Sequence, residues 1–346
     1  MTESSIDRVY ERFQLIVNGP ALFNAIVAGL ELDVFRYLRE HPGAGFEDLH
    51  TFTGLPRHSL RVLLLALTAT ELVSKKDGRY TNSAVADDAL AEDRPDSWRE
   101  TLIGWRRFQY PAFPYATDAL RAGRNVALDA YEGPGDTLYA RLAHDPRLVA
   151  AYHDSIGPFT HLFVTGLLDN PELSTVRHLL DVGGGDGTTA IRFARRFPEA
   201  EVTIFDMPAV AERAELIVPD DLTGRIRLRP GDLFKDEFPT DVDAVLFSHV
   251  LEPFDEQSNV ELLSKAVRAL PSGGRIFTYG LTALDDEDGG LLAARLSLYL
   301  NVLVAAGGLA HPAADYERWL WQAGVASVKA FTGLPYEHGL VVGTVA

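Results

Sequence analysis

The stretch from residue 178 to residue 206, "HLLDVGGGDGTTAIRFARRFPEAEVTIFD", constrains the fold more than any other part of the chain. An apolar run at 178–182 is followed by a glycine-rich turn at 183–187. A helical pattern over 188–197 and a second apolar run at 201–205 come next. This order of strand, turn, helix and strand predicts a βαβ unit, which implies a parallel sheet with right-handed crossovers.

Three later apolar segments, at 225–234, 242–251 and 273–281, are predicted to add strands to the same sheet, and residues 258–270 are predicted to form a helix between the last two. The predicted fold class is therefore α/β, with a Rossmann-like domain over residues 171–346.

Acidic residues follow the predicted strands at the positions where a nucleoside would bind. Asp206 lies 19 positions after Gly187, where an acid accepts hydrogen bonds from ribose hydroxyls. Asp232 follows the third strand, where a short acceptor meets an adenine amino group, and Phe234 is placed to flank the ring. A dinucleotide fingerprint would have a small residue at position 188, which is Thr188 here, so a single nucleoside is favoured.

The first hundred residues show the element order of a winged-helix domain. Residues 17–40 are predicted to form one helix, because apolar side chains recur at steps of four, at Leu22, Ile26, Leu30, Val34 and Leu38. A helix ending at Gly54, a turn at Leu55-Pro56, a second helix with Leu60, Leu63, Leu64 and Leu67 on its inner face, and a hairpin at Asp77-Gly78 follow. The expected domains are a mainly α-helical winged-helix domain over 1–100, a helical linker over 101–170 and the Rossmann-like domain.

Charge decides between two uses of a winged-helix domain. The formal net charge is −17, and the second helix offers only Arg57, His58 and Arg61 before it becomes apolar. Binding to nucleic acid or to an anionic membrane needs concentrated Lys and Arg, so neither partner is expected. The apolar helix over 17–38 favours homodimerisation, although burial within its own domain would give the same pattern.

The absence of certain residues and segments excludes several classes of protein. The chain has no cysteine, which excludes disulfides, thiolate metal sites and cysteine nucleophiles and fits a cytoplasmic protein. The N-terminal residues 1–7 are polar and acidic and lack the apolar core of a signal peptide. No apolar run of membrane-spanning length is evident, so no membrane span is expected.

The linker is rich in aromatic residues, which suits either core packing or the wall of a pocket for a flat, partly apolar ligand. Trp105 and Phe159 are the candidates for such a wall. His153 and His161 are eight residues apart and would share a helical face, but no carboxylate is placed to complete a site, so no metal is expected.

The motifs "LDVGGGDG", "FDMP", "GDLF" and "AAGG" (305–308), in this order, resemble the plant-type small-molecule O-methyltransferases and their bacterial natural-product relatives. The resemblance covers nearly the whole chain and implies S-adenosyl-L-methionine (SAM) as cofactor, S-adenosyl-L-homocysteine as its product, and a homodimer formed through the N-terminal domain. It implies cofactor contacts at Asp181, Gly183, Gly185, Gly187, Asp206, Met207, Asp232, Leu233, Phe234 and Ser248. It implies substrate contacts at Trp105, Phe159, Glu252 and Asn301.

The chain departs from this family at its catalytic residues. The family has a Val-Leu-His-Asp-Trp run after the fourth strand, and its histidine takes the phenol proton; here residues 250–254 are Val-Leu-Glu-Pro-Phe, with Glu252 in place of that histidine. Two family glutamates that orient the histidine are also replaced, one near Tyr279-Gly280 and one within residues 307–312, Gly-Gly-Leu-Ala-His-Pro. Glu252 is therefore a base, a group that pairs with a substrate amine or hydroxyl, or a residue at a helix start. His153 and His311 are candidate replacement bases, ahead of His249.

The sequence therefore predicts a SAM-dependent methyltransferase acting on a small, partly aromatic natural-product intermediate. Transfer to oxygen or nitrogen is favoured, mainly by proximity of the reacting groups and without the family's histidine. The alternatives are C-methylation, a SAM-binding enzyme that performs hydroxylation, decarboxylation or pericyclic chemistry instead, and a non-enzymatic winged-helix regulator that senses a small ligand.

Overall fold

The predicted βαβ unit lies within a seven-stranded sheet whose strands have the order β6 (Ile226–Pro230), β5 (Glu201–Asp206), β4 (His178–Val182), β7 (Ala244–Ser248), β8 (Arg275–Leu281), β10 (His338–Thr344) and β9 (Ser327–Leu334). The structure is a computed structural model that describes residues 3–346 and the side chains from Asp7 onward. The polar N-terminus considered above lies almost entirely outside these described side chains. The chain divides into two units, Met1–Arg107 and Phe108–Ala346, and the domain limits at residues 100 and 170 stay a prediction.

The first unit combines helices with a small antiparallel sheet of order β1-β3-β2. Its elements are α1 (Glu3–Glu31), α2 (Val34–Glu40), β1 (Ala44–Gly45), α3 (Phe46–Thr53), α4 (Arg57–Ala69), β2 (Val73–Lys76), β3 (Arg79–Asn82), α5 (Ala84–Ala89) and α6 (Trp98–Gly104). Gly54 ends α3 in the left-handed conformation, with φ of 64°. The predicted order of helix, turn, helix and hairpin is confirmed, and the four predicted leucines of α4 are buried.

The prediction of one helix over 17–40 is wrong. The helix α1 ends at Glu31, and α2 starts only at Val34. Between them Asp33 has a left-handed conformation, with φ of 55°, which aspartate tolerates better than most residues. Phe35 and Leu38 are buried after this turn. The apolar spacing is the same on both sides of the break, so periodicity alone could not detect it.

The composition of α1 fits either a helix of a globular protein or a helix that crosses a membrane. The segment Asp7–Glu31 is long and apolar enough to cross a membrane by length and composition alone, which is weak evidence because core helices and signal sequences meet the same criterion. The expected absence of a membrane span therefore stays a prediction.

The second unit begins with helices and continues into the sheet. Its helices are α7 (Ala116–Ala122), α8 (Leu138–Leu142), α9 (Pro146–Leu168), α10 (Thr188–Arg196), α11 (Pro208–Ile217), α12 (Glu256–Ala269), α13 (Leu291–Tyr299) and α14 (Ala313–Ala323). Its strands are β4 (His178–Val182), β5 (Glu201–Asp206), β6 (Ile226–Pro230), β7 (Ala244–Ser248), β8 (Arg275–Leu281), β9 (Ser327–Leu334) and β10 (His338–Thr344). The segments predicted at 225–234 and 242–251 contain shorter strands, because Pro230-Gly231 ends the first and the second turns at His249.

Parallel pairing of β4 with β5 and β7 brings three strand ends to one edge of the sheet. Each face of the sheet is covered by a separate buried cluster, one containing Leu179 and Phe277 and the other containing Leu180 and Phe247. Burial on both faces explains why these strands are continuously apolar rather than alternating. This Rossmann-like arrangement confirms the predicted α/β class and places the loops after the strands where a ligand binds in open α/β sheets.

Asn259 fixes the loop that follows β7. It is completely buried on α12, and its Nδ2 donates to the carbonyl oxygens of Leu251 and Phe254, both at 3.1 Å. These two hydrogen bonds hold the segment that carries Glu252 against the helix.

Replacing Asn259 with Ala should lower the free energy of unfolding by about 1–3 kcal/mol, because the carbonyl groups of Leu251 and Phe254 each lose one hydrogen-bond donor. Chemical denaturation of the purified protein measures this change. Gln257→Ala, at an exposed position of the same helix, is the control and should change stability by less than about 0.5 kcal/mol. Equal effects of the two substitutions would contradict the role given to Asn259.

Candidate functional site

The glycine-rich turn after β4 brings backbone close to its neighbours. Gly183, Gly185 and Gly187 all have positive φ, at 67°, 61° and 85°. A side chain at Gly183 would place its Cβ 2.7 Å from Val250, and one at Gly184 would place it 2.8 Å from the Asp181 carboxylate. The turn therefore needs small residues both for its conformation and for its contact with the acid beneath it.

Asp181 is a buried acid without a donor. Its side chain is fully buried, and neither carboxylate oxygen accepts a hydrogen bond from the described residues. Burial, and after it the negative charges of Asp206 and Asp186, raise its pKa to about 8. A buried acceptor without a donor is costly, so this position suits a ligand that brings a donor or a positive charge.

Asp206 ends β5 beside the glycine turn. Its Oδ2 accepts from the Gly185 amide at 2.9 Å and its Oδ1 from the Met207 amide at 2.7 Å. Burial raises the pKa of Asp206 to about 6, against the lowering effect of these two amides. Each oxygen keeps a further lone pair, so the carboxylate is oriented and still able to accept from two hydroxyl groups.

The residues that were predicted to contact adenine and the methionine end of SAM follow β6 or end β7. Asp232 accepts from the Phe234 amide at 3.0 Å and from Lys235 Nζ at 2.8 Å, and the Lys235 bond is the main cause of its lowered pKa. The Phe234 ring is partly exposed and meets Phe254 edge-on at 5.1 Å. Leu233 packs on the core, and Ser248 is the last residue of β7. Their predicted cofactor contacts stay predictions.

Glu252 lies in a buried position next to an imidazole. Its side chain is 4% exposed, and Oε1 is 3.3 Å from His249 Nδ1. That contact lacks the alignment of a hydrogen bond. A side chain at Gly280 of β8 would place its Cβ 2.0 Å from Oε1, so the carboxylate rests directly on the β8 backbone. Glu252 is therefore a buried group and does not cap the following helix, whose cap is Asp255.

His249 connects Glu252 to a second histidine. His249 has a left-handed backbone, with φ of 56°, and its Nε2 is 3.2 Å from Nε2 of His338. On the other side of the His338 ring, Nδ1 is 3.0 Å from the carbonyl oxygen of Tyr336. Burial and then the neighbouring His249 lower the pKa of His338 to about 3. The sequence does not point to His338, because no motif surrounds it.

The other candidate bases lie in different surroundings. His311 Nε2 is 3.0 Å from the carbonyl oxygen of Phe254, and its ring packs edge-on against Trp319 at 4.8 Å. Burial lowers the pKa of His311. His153 lies on α9 beside the glycine turn, 3.5 Å from the point where a Cβ at Gly185 would be. Burial is also the main cause of the lowered pKa of His153.

The predicted substrate contacts are brought together only in part. Phe159 lies on α9, and its ring centroid is 5.9 Å from that of His249. Asn301 follows α13; its Nδ2 donates to the Ala306 carbonyl at 3.3 Å, and its buried Oδ1 has no donor among the described residues. Trp105 belongs to the first unit, where its ring meets Trp98 edge-on at 5.7 Å.

Three tyrosines extend the aromatic wall that the sequence predicted in general terms. Tyr139, Tyr152 and Tyr299 lie on α8, α9 and α13, and burial is the main cause that raises the pKa of each hydroxyl. Glu252 adds to the raised pKa of Tyr139 through its charge, which indicates that these groups are near each other. In the described part of the chain, no group of three metal-ligating side chains occurs.

Comparison with known proteins identifies the family. The O-methyltransferase domain family matches residues 113–326. The L-tyrosine C(3)-methyltransferase of Streptomyces lavendulae is 32% identical over 335 residues, covering 95% of this chain and 91% of the relative. The chain belongs to the O-methyltransferase family. The predicted family resemblance is confirmed, and the protein is a SAM-dependent methyltransferase.

Two further relatives and two solved structures agree with this assignment. The 3-hydroxy-5-methyl-1-naphthoate 3-O-methyltransferase of Streptomyces sahachiroi is 33% identical, covering 85% of this chain and 83% of its own. The N,N-dimethyltransferase OxyT of Streptomyces rimosus is 31% identical, covering 74% of both chains. The SAM-dependent methyltransferase SibL has a TM-score of 0.81 at 31% identity, covering 96% of this chain and 98% of its own. Human N-acetylserotonin methyltransferase in complex with SAM has the same fold, with a TM-score of 0.87 at 24% identity over the full length of both chains.

The residues at the sheet edge fit SAM, which supplies a methyl group bonded to a positively charged sulfur. The unpartnered carboxylate of Asp181 fits a ligand that carries positive charge and N–H donors. The oriented carboxylate of Asp206 fits a pair of ribose hydroxyls. These relatives are methyltransferases, which does not favour the alternatives without methyl transfer.

The pKa of Asp181 predicts that SAM binding releases a proton. With a pKa near 8 the free carboxyl group is mostly protonated at pH 7, and a cationic ligand favours its ionised form. SAM affinity should therefore rise as the pH increases from 6 toward 8. Calorimetry at pH 7 in buffers of different ionisation enthalpy measures the released proton.

Asp181→Asn should abolish this proton release and weaken SAM binding by roughly 10- to 100-fold, the worth of a charged hydrogen bond. Asp221→Asn, at an exposed position, is the control and should bind SAM with the pH dependence of the unmodified protein. Unchanged proton release in Asp181→Asn would show that this acid does not ionise on binding.

Proposed function

We propose that the protein transfers a methyl group from SAM to a small aromatic acceptor that carries a hydroxyl group, at that oxygen or at the adjacent ring carbon. One observation carries this proposal. Oε1 of the buried Glu252 carboxylate accepts no hydrogen bond from the described residues, and the buried Oδ1 of Asn301 also lacks a donor among them. A ligand that brings a hydroxyl group satisfies such acceptors.

The apolar surroundings support an aromatic acceptor. Tyr152, Tyr299 and Phe108 belong to one buried cluster, against which Tyr139 packs. Phe159 adds an aromatic ring beside His249. Sites for small ligands are mostly apolar with a few placed polar groups, which matches this set.

Two of the three relatives support the same class of acceptor, and the third, OxyT, is an N,N-dimethyltransferase. The relative from Streptomyces lavendulae acts on L-tyrosine, at C(3), and the relative from Streptomyces sahachiroi acts on a 3-hydroxynaphthoate, at the 3-oxygen. Both acceptors are aromatic rings with a hydroxyl group. This common feature favours a hydroxylated ring over the amine that the sequence analysis kept as an equal possibility.

Transfer from methyl-labelled SAM to a panel of phenols, hydroxylated aromatic acids, aromatic amines and 2-oxo acids tests the acceptor class. We expect label only in products from hydroxylated rings, at the oxygen or the adjacent carbon. The methyl ether of each accepted phenol is the matched control and should remain unlabelled, because it has no hydroxyl proton to lose. Label confined to amines would overturn the proposal.

We also propose that the protein is a homodimer formed through the first unit. The N-terminal half of α1 exposes six large apolar side chains: Val9, Tyr10, Phe13, Leu15, Ile16 and Val17. An apolar patch of this kind on a single helix is characteristic of a surface that another chain covers. We infer that a second copy of this chain covers the patch.

The acidic, cysteine-free composition of the chain supports a cytoplasmic location.

Replacing both Phe13 and Ile16 with Glu should convert the dimer to a monomer, because burying two carboxylates at the interface is unfavourable. Light scattering after size-exclusion chromatography measures the mass. Lys76→Glu, an exposed change in the same unit, should leave the dimer intact. A monomer mass for the unmodified protein at micromolar concentration would contradict the dimer proposal.

A further inference from the structure

We propose that Glu252, His249 and His338 act together as the proton-accepting group for the acceptor hydroxyl, in place of the histidine that this family has at position 252. The inference rests on the proposed hydroxylated acceptor. Glu252 is assigned as the catalytic residue, and the two histidines are assigned as positioning residues that determine where its proton lies.

The surroundings of His338 determine which of its ring nitrogens carries a hydrogen. Its Nδ1 faces two carbonyl oxygens, those of Tyr336 at 3.0 Å and Pro335 at 3.2 Å. Carbonyl oxygens only accept, so Nδ1 carries a hydrogen. The ring is buried and neutral at pH 7, since burial lowers its pKa to about 3. Its Nε2 is therefore a bare acceptor.

The bare Nε2 of His338 in turn determines which ring nitrogen of His249 carries a hydrogen. The two Nε2 atoms are 3.2 Å apart, so His249 must carry the hydrogen between them. The Nδ1 of His249 then faces Oε1 of Glu252 at 3.3 Å. A carboxylate would repel a bare ring nitrogen at this distance, so a proton belongs between the two groups, and a small rotation of the His249 ring would align the hydrogen bond that this contact lacks. Glu252 and His249 together hold this one proton.

The surrounding titratable groups do not supply another partner. Tyr279 of β8 donates its hydroxyl to the Phe163 carbonyl oxygen at 2.7 Å. The Glu337 carboxylate accepts from the amides of Leu291, Leu292 and Ala293 at 2.8–2.9 Å. His311, Tyr139 and Tyr316 also lie within electrostatic range of Glu252, and burial favours the neutral form of each.

Two backbone features hold the array in place. His249 has the left-handed conformation that is unfavourable for a residue with a Cβ, and this turn directs its ring toward Glu252 and His338. Gly280 leaves the space that the Glu252 carboxylate occupies, since a Cβ there would overlap Oε1. The His249 amide also donates to the Tyr279 carbonyl oxygen of β8 at 2.8 Å, which fixes this turn against the sheet.

Proton transfer starts at the hydroxyl group of the acceptor. The acceptor O–H bond breaks with its electron pair left on the acceptor oxygen, and the proton goes to Oε2 of Glu252. The proton already shared between Oε1 and His249 moves fully to Nδ1, which forms an imidazolium. The Nε2–H of that imidazolium remains hydrogen-bonded to His338. Because the His249 side chain is 23% exposed, the extra proton then passes to water.

Nitrogen-15 NMR of the free protein, labelled at histidine, tests the array without any acceptor. We expect His338 to be neutral with hydrogen on Nδ1, and His249 to carry hydrogen on Nε2. Glu252→Gln should change the Nδ1 signal of His249 and leave the signal of the exposed His58 of the first unit unchanged. Hydrogen on Nδ1 alone in His249, or no response to Glu252→Gln, would overturn the array.

Kinetics with the acceptor found in the labelled-SAM panel test the proton transfer. Glu252→Gln should lower kcat by about 100- to 10,000-fold, the contribution of general-base catalysis, and should abolish the acidic limb of the pH profile while leaving SAM affinity unchanged. Glu256→Gln, an exposed acid paired with Arg318, is the matched control and should keep the unmodified profile.

Two variants of His338 distinguish a role in positioning His249 from a role in folding. His338→Gln keeps an acceptor toward His249 and should retain most of kcat, whereas His338→Leu should lose it and shift the pH profile. Normal kcat and an unchanged pH profile in Glu252→Gln would overturn the proposal while leaving the acceptor class intact. Failure of every hydroxylated ring in the panel would instead overturn the proposed function, whatever the NMR result.

Discussion

The parallel pairing of β4 with β5 and β7 is the constraint on which the rest of the second unit depends. Because these strands run in the same direction, the glycine turn, Asp206 and Glu252 emerge at the same edge of the sheet. The apolar faces of the sheet are covered by two separate clusters. The polar groups of the site therefore belong to the loops, while the buried strands only fix their positions.

The antiparallel strand β10 adds what the parallel strands cannot supply. Its first residue, His338, pairs with Leu281 at the end of β8, so it begins at the edge where the parallel strands end. That reversal brings a histidine from the last ten residues of the chain beside His249. The array of Glu252, His249 and His338 thus depends on one change of strand direction.

Buried carboxylates without donors distinguish this site from the structural core. Asn259 and Lys265 are also buried polar residues, but the donors of each bind backbone carbonyl oxygens. Both carboxylate oxygens of Asp181 and Oε1 of Glu252, in contrast, accept no hydrogen bond from the described residues. A buried carboxylate oxygen without a donor lowers stability, so open carboxylates at the edge where the parallel strands end favour a role in ligand binding.

The sequence alone determined the βαβ unit, the α/β class and the family, because apolar periodicity, glycine spacing and acids at strand ends are local features. Through the family resemblance it also predicted that Glu252 stands in place of the family's histidine. It could not detect the break at Asp33, since the apolar spacing continues across it, and it ranked His249 behind His153 and His311. Only the tertiary structure placed His338 next to His249 and Gly280 beneath Glu252, because those contacts join residues that are far apart in the chain and depend on how the strands pair.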